Sequence, residues 1–155
     1  MRAFDYLAQV EILDTLIMNK TAEQEQLRDM AYKITQASDG MPHGTEVSDK
    51  VGNAAVGLVD LANEISVLAV TFKGVIQDVT NHIEMLPEKQ YKVLHAKFIL
   101  KRKELGNHRS WYHSWEEVAG IVNYSESQVY RIKKIALRNL QRILDSERMT
   151  VNDRV

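Results

Sequence analysis

The sequence contains no cysteine among its 155 residues. That absence removes disulfides, thiolate metal sites and cysteine nucleophiles together. Two prolines and seven glycines are too few for a chain built of many tight turns, so helices are expected. Uninterrupted apolar sequence is scarce, and a bilayer span is not expected. The opening lacks the basic, apolar and small-residue succession of a secretory signal, so Met1 is expected to begin the mature protein, inside the cell. What is present is 45% hydrophobic and 26% charged residues, enough apolar surface to build one domain's core and too much for a disordered tail.

The chemistry-bearing residues form no catalytic pattern. The histidines, His43, His82, His95, His108 and His113, have no ligand spacing, no Gly-rich loop is present to cradle phosphates, and no nucleophile stands beside a base. No enzyme, metal or cofactor is expected.

Charge is distributed unevenly. The net charge is -1, yet residues 1–87 carry 6 Lys and Arg against 13 Asp and Glu, while residues 88–155 carry 14 against 8. A split of -7 and +6 favours two modules, the basic one facing a polyanion.

In the acidic half, steps alternating three and four residues land on Ala3, Tyr6, Val10, Leu13, Ile17, Lys20, Gln24, Leu27, Ala31 and Ile34. Such a seam must be buried against another helix. The stretch Ser38 to Thr45 is rich in helix stoppers and reads as a bend. Beyond it the alternation returns through Val51, Ala54, Leu58, Leu61, Ile65, Leu68, Phe72, Val75, Val79, His82 and Leu86. The pattern predicts a long antiparallel helical hairpin, a coiled coil over residues 1–86. Leu7, Ile12, Leu16, Val59, Val67, Val70 and Ile76 widen the apolar stripe beyond one partner, which points to homo-oligomerisation or docking on another protein. His82, on the seam, is expected to be a hydrogen-bonded packing residue.

Leu86-Pro87-Glu88 marks the start of a second module, since proline suits the first position of a helix and disfavours helix in the residue before it. A helix is expected over Glu88 to Glu104, exposing Lys89, Lys92, Lys97, Lys101, Arg102 and Lys103. Ser114-Trp115-Glu116-Glu117 and Ser125-Glu126-Ser127-Gln128 are two capping boxes. Between them lies a helix of about eight residues, Trp115 to Val122, with a turn at Asn123-Tyr124, where asparagine suits a left-handed backbone. A short helix, a tight turn and a longer helix from Glu126 to about Asp145 form a helix-turn-helix pattern. Val118, Ala119, Val122, Tyr124, Val129 and Ile132 supply its core. On the second helix Arg131, Lys134, Arg138 and Arg142 form a cationic stripe opposite Val129, Ile132, Ala136, Leu140 and Ile143. The first turn offers Ser125, Glu126, Ser127, Gln128, Tyr130 and Arg131 to base edges, with Arg131 suited to guanine and Gln128 to adenine. Arg109, Lys133, Lys134 and Arg138 suit phosphates.

Leu86-Pro87-Glu88-Lys89-Gln90-Tyr91-Lys92-Val93-Leu94, Ser114-Trp115-Glu116-Glu117-Val118-Ala119, Tyr124-Ser125-Glu126-Ser127-Gln128-Val129-Tyr130-Arg131-Ile132 and Ala136-Leu137-Arg138-Asn139-Leu140 together resemble region 4 of bacterial sigma factors. An acidic helical hairpin followed by such a segment is similar to the small sigma-like regulators of phages and prophages, the ArpU and RinA type of late-gene activators. The resemblance implies an all-α chain with a partner-binding hairpin at 1–86, a region-4-like helix-turn-helix domain at 87–148 and a tail at 149–155. It implies binding to double-stranded DNA near phage late genes in the bacterial cytoplasm, and contact with host RNA polymerase. Two other functions fit the same pattern: a phage terminase small subunit for DNA packaging, and a coiled-coil protein-interaction module.

Overall fold

In the computed structural model of the chain, which describes residues 1–37 and 45–154, five helices follow one another: α1 (Ala3–Ala37), α2 (Thr45–Glu84), α3 (Glu88–Phe98), α4 (Trp115–Val122) and α5 (Glu126–Asn152). Among the described residues there is no strand, only an isolated antiparallel bridge between Lys101 and Tyr112, so the fold is all-α. The expected bend at Ser38 to Gly44 lies outside the described residues.

The chain divides into two compact units, Met1–Ile12 with Lys73–Val155, and Leu13–Phe72. The division falls inside α1 and α2 instead of at Leu86–Pro87. The reason is burial and hydrogen bonding in the first unit. Ala3, Leu7 and Val10 from α1 and Val79, Ile83 and Leu86 from the end of α2 are buried there, and Phe4 stacks edge-on against Phe98 at 5.7 Å. The start of α1 is held by α5: Ala3 N donates to Gln141 Oε1 at 2.7 Å, and Gln141 Nε2 donates to Met1 O at 3.3 Å. A side-chain oxygen thus accepts from an amide that the helix itself leaves without a partner.

His82 joins three helices in this unit. Its Nδ1 lies 2.7 Å from Tyr6 Oη and its Nε2 lies 2.8 Å from Glu147 Oε2. Burial, with the charges of Asp78 and Glu147 nearby, pushes the Tyr6 hydroxyl up to about 12, so Tyr6 keeps its proton at neutral pH.

In the unit Leu13–Phe72 the two helix segments run antiparallel. Lys20 Nζ pairs with Glu64 Oε2 at 2.9 Å, and further from the start of α1 Leu27 meets the earlier residue Gly57. A Cβ added at Gly57 would lie 2.9 Å from Leu27 Cδ2, so glycine allows the close approach. Ala54 and Leu61 are buried, and Leu13, Ile17, Lys20, Gln24, Leu27, Ala31, Ile34, Val51, Leu58, Ile65, Leu68 and Phe72 are half-buried. These are the seam positions of the three-four alternation, including polar Lys20, which takes its place through the ion pair. The flanking Val56, Val59, Val67 and Val70 remain 60 to 75% exposed.

The stretch Asp49–Glu84 is long and apolar enough, by length and composition, to cross a membrane, with mean hydropathy 1.6 in its best segment. From Val51 to Phe72 only Asp60 and Glu64 carry charge.

Within the first unit Val93, Ala96, Val118, Ala119 and Val129 form a buried cluster on which Trp115, Val122, Tyr124 and Ile132 pack. This cluster joins α3, α4 and α5. Asn123 closes α4 in the left-handed conformation, at φ 58° and ψ 40°, with its N–H donating to Ala119 O, and Tyr124 N donates to the same carbonyl at 3.1 Å. The turn therefore depends on a backbone angle that β-branched residues resist. Asn123→Gly is expected to keep or slightly raise stability, while Asn123→Val should lose about 1–3 kcal/mol; urea denaturation of both variants checks this, and equal midpoints would contradict the conformational argument.

Candidate nucleic-acid interface

Sequence alone places α4 correctly from Trp115 to Val122 and the start of α5 at Glu126. The two expected capping boxes differ in outcome. At α5 the box is complete: Gln128 N donates to Ser125 Oγ at 3.2 Å and Ser125 N donates to Gln128 Oε1 at 3.0 Å. At α4 only half forms, with Glu117 N donating to Ser114 Oγ at 3.3 Å. The Glu117 carboxylate goes instead to Arg102, in a two-pronged ion pair through Nη1 and Nη2. Fork-on-fork pairing of this kind is stronger than a return to a backbone amide.

Arg102 also shows why α3 stops at Phe98 and does not continue to Glu104. Its backbone N donates to Trp111 O at 2.8 Å and its Nε to Ser110 O at 2.9 Å, so the chain after α3 is tied across to the segment that enters α4. Arg102 and Lys97, both expected on an exposed face, are half-buried. Lys97 Nζ donates to His113 O at 2.7 Å and lies 5.7 Å from the Trp115 ring centroid. Burial lowers its pKa. Neither role is visible in the sequence, because both depend on residues about fifteen positions away.

The expected contact residues separate into three groups. Arg131, Lys134 and Arg138, with Arg142, are exposed along one face of α5 and form no ion pair with the described residues. Over this stretch the helix buries Val129, Ala136 and Leu140, which fixes the cationic stripe on its outer side. Ser127 and Glu126 are exposed in the first turn.

A second group is engaged inside the protein. Gln128 Oε1 is taken by the capping box, so bidentate pairing with adenine competes with that bond. Tyr130 Oη donates to Glu116 Oε1 at 3.1 Å, and this bond raises the Tyr130 pKa. Lys133 Nζ sits 4.4 Å from the Trp115 ring centroid and 5.5 Å from that of Tyr130, where the ring faces attract it. Trp115 thus acts as a packing anchor with a cation on its face.

Arg109 stands apart, exposed in the segment between α3 and α4, and no hydrogen bond or ion pair with the described residues links it to α5.

Compared with known proteins, the chain matches no family model, no curated protein and no solved structure.

Glu117 gives the interface its clearest pH signature. The Arg102 guanidinium, helped by His113 and Ser114, holds its carboxyl far below the usual carboxylate range. A group depressed in the folded state stabilises above its unfolded pKa of about 4.3 and loses that contribution as pH falls. Wild type should therefore lose more of its urea midpoint between about pH 6 and pH 3 than Glu117→Gln does; identical losses would show that the pair does not couple to folding.

Proposed function

We propose that the chain is a double-stranded-DNA-binding transcription regulator of the sigma region 4-like type, with α4 and α5 as a helix-turn-helix and the paired segments of α1 and α2 as a coiled-coil hairpin that associates with further copies. The observation that carries this reading is the row Arg131, Lys134, Arg138 and Arg142, exposed on the outer face of α5 and without carboxylate partners among the described residues. Four cations on one helix face repel one another, and neutralising a phosphate backbone relieves that repulsion while releasing counterions.

In this reading the start of α5 enters the major groove, where Ser127, Gln128 and Arg131 face base edges. Lys134, Arg138 and Arg142 lie along a rise of about 12 Å and meet phosphates. Arg131 is the strongest candidate for sequence readout, because its guanidinium is uncommitted. Lys133 and Tyr130 support the helix through Trp115 and Glu116 instead of contacting DNA first, and Arg109 holds a flanking phosphate. Two copies would read paired half-sites separated by whole helical turns. The resemblance to late-gene activators of phages adds contact with host RNA polymerase and a place in the bacterial cytoplasm.

Fluorescence anisotropy with duplex DNA across a salt series tests the reading. Affinity should fall steeply with salt. Arg138→Ala should weaken binding to all duplexes alike and reduce the slope of log affinity against log salt by about 1, whereas Arg131→Ala should cost about 1–3 kcal/mol on a preferred site and relax its sequence preference. Lys33→Ala, on an exposed face of α1, should change neither. Affinity that ignores salt, or is unchanged by Arg131→Ala and Arg138→Ala together, would overturn the proposal.

A further inference from the structure

The outer face of α2 within Leu13–Phe72 is unlike a solvated helix surface. Val56, Val59, Val67 and Val70 are 62, 60, 67 and 75% exposed, and in the span they enclose only Asp60 and Glu64 are charged. Glu64 is taken by Lys20. The placement of the four valines is symmetric: they stand seven and four residues before Asn63, and four and seven residues after it. At about 100° per residue, all four fall within about 40° of Asn63 around the helix. A groove of about 490 Å³ between α1 and α2, lined by Leu16, Lys20, Asn63, Glu64, Val67 and Leu68, opens beside that centre.

We propose that this face is covered by α2 of a second copy of the chain, lying antiparallel, with the two-fold axis at Asn63. An isologous contact requires a surface that complements itself, and the V-V-N-V-V spacing has that property. Antiparallel pairing sets Val59 against the partner's Val67 and Val56 against the partner's Val70. Asn63 meets its own counterpart on the axis, where each amide supplies both a donor and an acceptor. A polar pair at the centre of an apolar contact fixes its register.

The charges agree with this register. Asp60 comes opposite the partner's Ser66, whose hydroxyl can donate to the carboxylate. The two aspartates stay about 9 Å apart along the axis, and no second charge faces them. A lipid surface is the poorer occupant, because Asp60 would face hydrocarbon in the middle of the patch. An unrelated protein would have no use for the symmetry about Asn63. The inference deepens the association of copies in the proposed function and is independent of DNA docking.

The chain's lack of cysteine makes the test clean. In the full chain under mild oxidation, Asn63→Cys should form a disulfide-linked dimer. Val56→Cys alone should not, while a mixture of Val56→Cys and Val70→Cys chains should give the mixed disulfide. Sedimentation velocity should show a wild-type dimer, and the double variant Val59→Lys with Val67→Lys should sediment as a monomer with unchanged circular dichroism, since both side chains are exposed. Cross-linking of Val56→Cys with itself would mean a parallel arrangement and overturn the proposal. So would a dimer that survives the double lysine variant, or a wild-type monomer at tens of micromolar that instead pelts down with zwitterionic vesicles. A monomer that still binds DNA with a steep salt dependence would sink this inference and leave the DNA reading standing.

Discussion

The close packing of α4 on α5 is the constraint from which the basic surface follows. Ala119 is small and buried where Val118 and Val129 also lie fully inside, and the left-handed Asn123 brings the chain around without a longer loop. With Val129 in that cluster and Ala136 and Leu140 buried further along α5, helical periodicity leaves Arg131, Lys134 and Arg138 no inward position. The cationic stripe is therefore a consequence of packing, and its outward aim has the stability of the core behind it. Trp115 serves both sides of this arrangement, covering the cluster with one part of its ring and receiving Lys133 on its face.

The same unit is closed by contacts far apart in sequence. Gln141 caps the first turn of α1, His82 reaches Tyr6 and Glu147, and Ser110 Oγ donates to Glu11 Oε1 at 2.5 Å. The ends of α1 and α2 thus belong to this core together with α3, α4 and α5. Association along α2, as inferred above, would bring two copies of the basic face into one assembly.

The elements that were legible in the sequence are those governed by local rules. The three-four alternation picked out buried and half-buried positions on α1 and α2, polar Lys20 and Gln24 included, because the seam repeats with the helix, but it passed over the buried Leu7, Asp14 and Ile83. Capping residues and Asn123 located α4 and the start of α5, because caps and left-handed turns are decided within a few residues. The early end of α3, the burial of Lys97 and Arg102, and the engagement of Glu117 were not legible, since an arginine that clasps a loop looks like any exposed basic residue until its partners are in place. The division of the chain inside α1 and α2 escaped for the same reason: proline marks where a helix stops, not where a core ends. For the candidate interface, spacing revealed the Arg131, Lys134, Arg138 stripe, but not that Gln128, Tyr130 and Lys133 have partners inside the protein.

The central claim is that the outer face of α5 meets duplex DNA. Backbone amide NMR of the full chain, titrated with a short duplex at low salt, tests it most directly. The account predicts shifts concentrated from Ser125 to Arg142, with the amides of residues 49–72 little changed. Perturbation confined to residues 13–72, or none at all while DNA is bound, would contradict it.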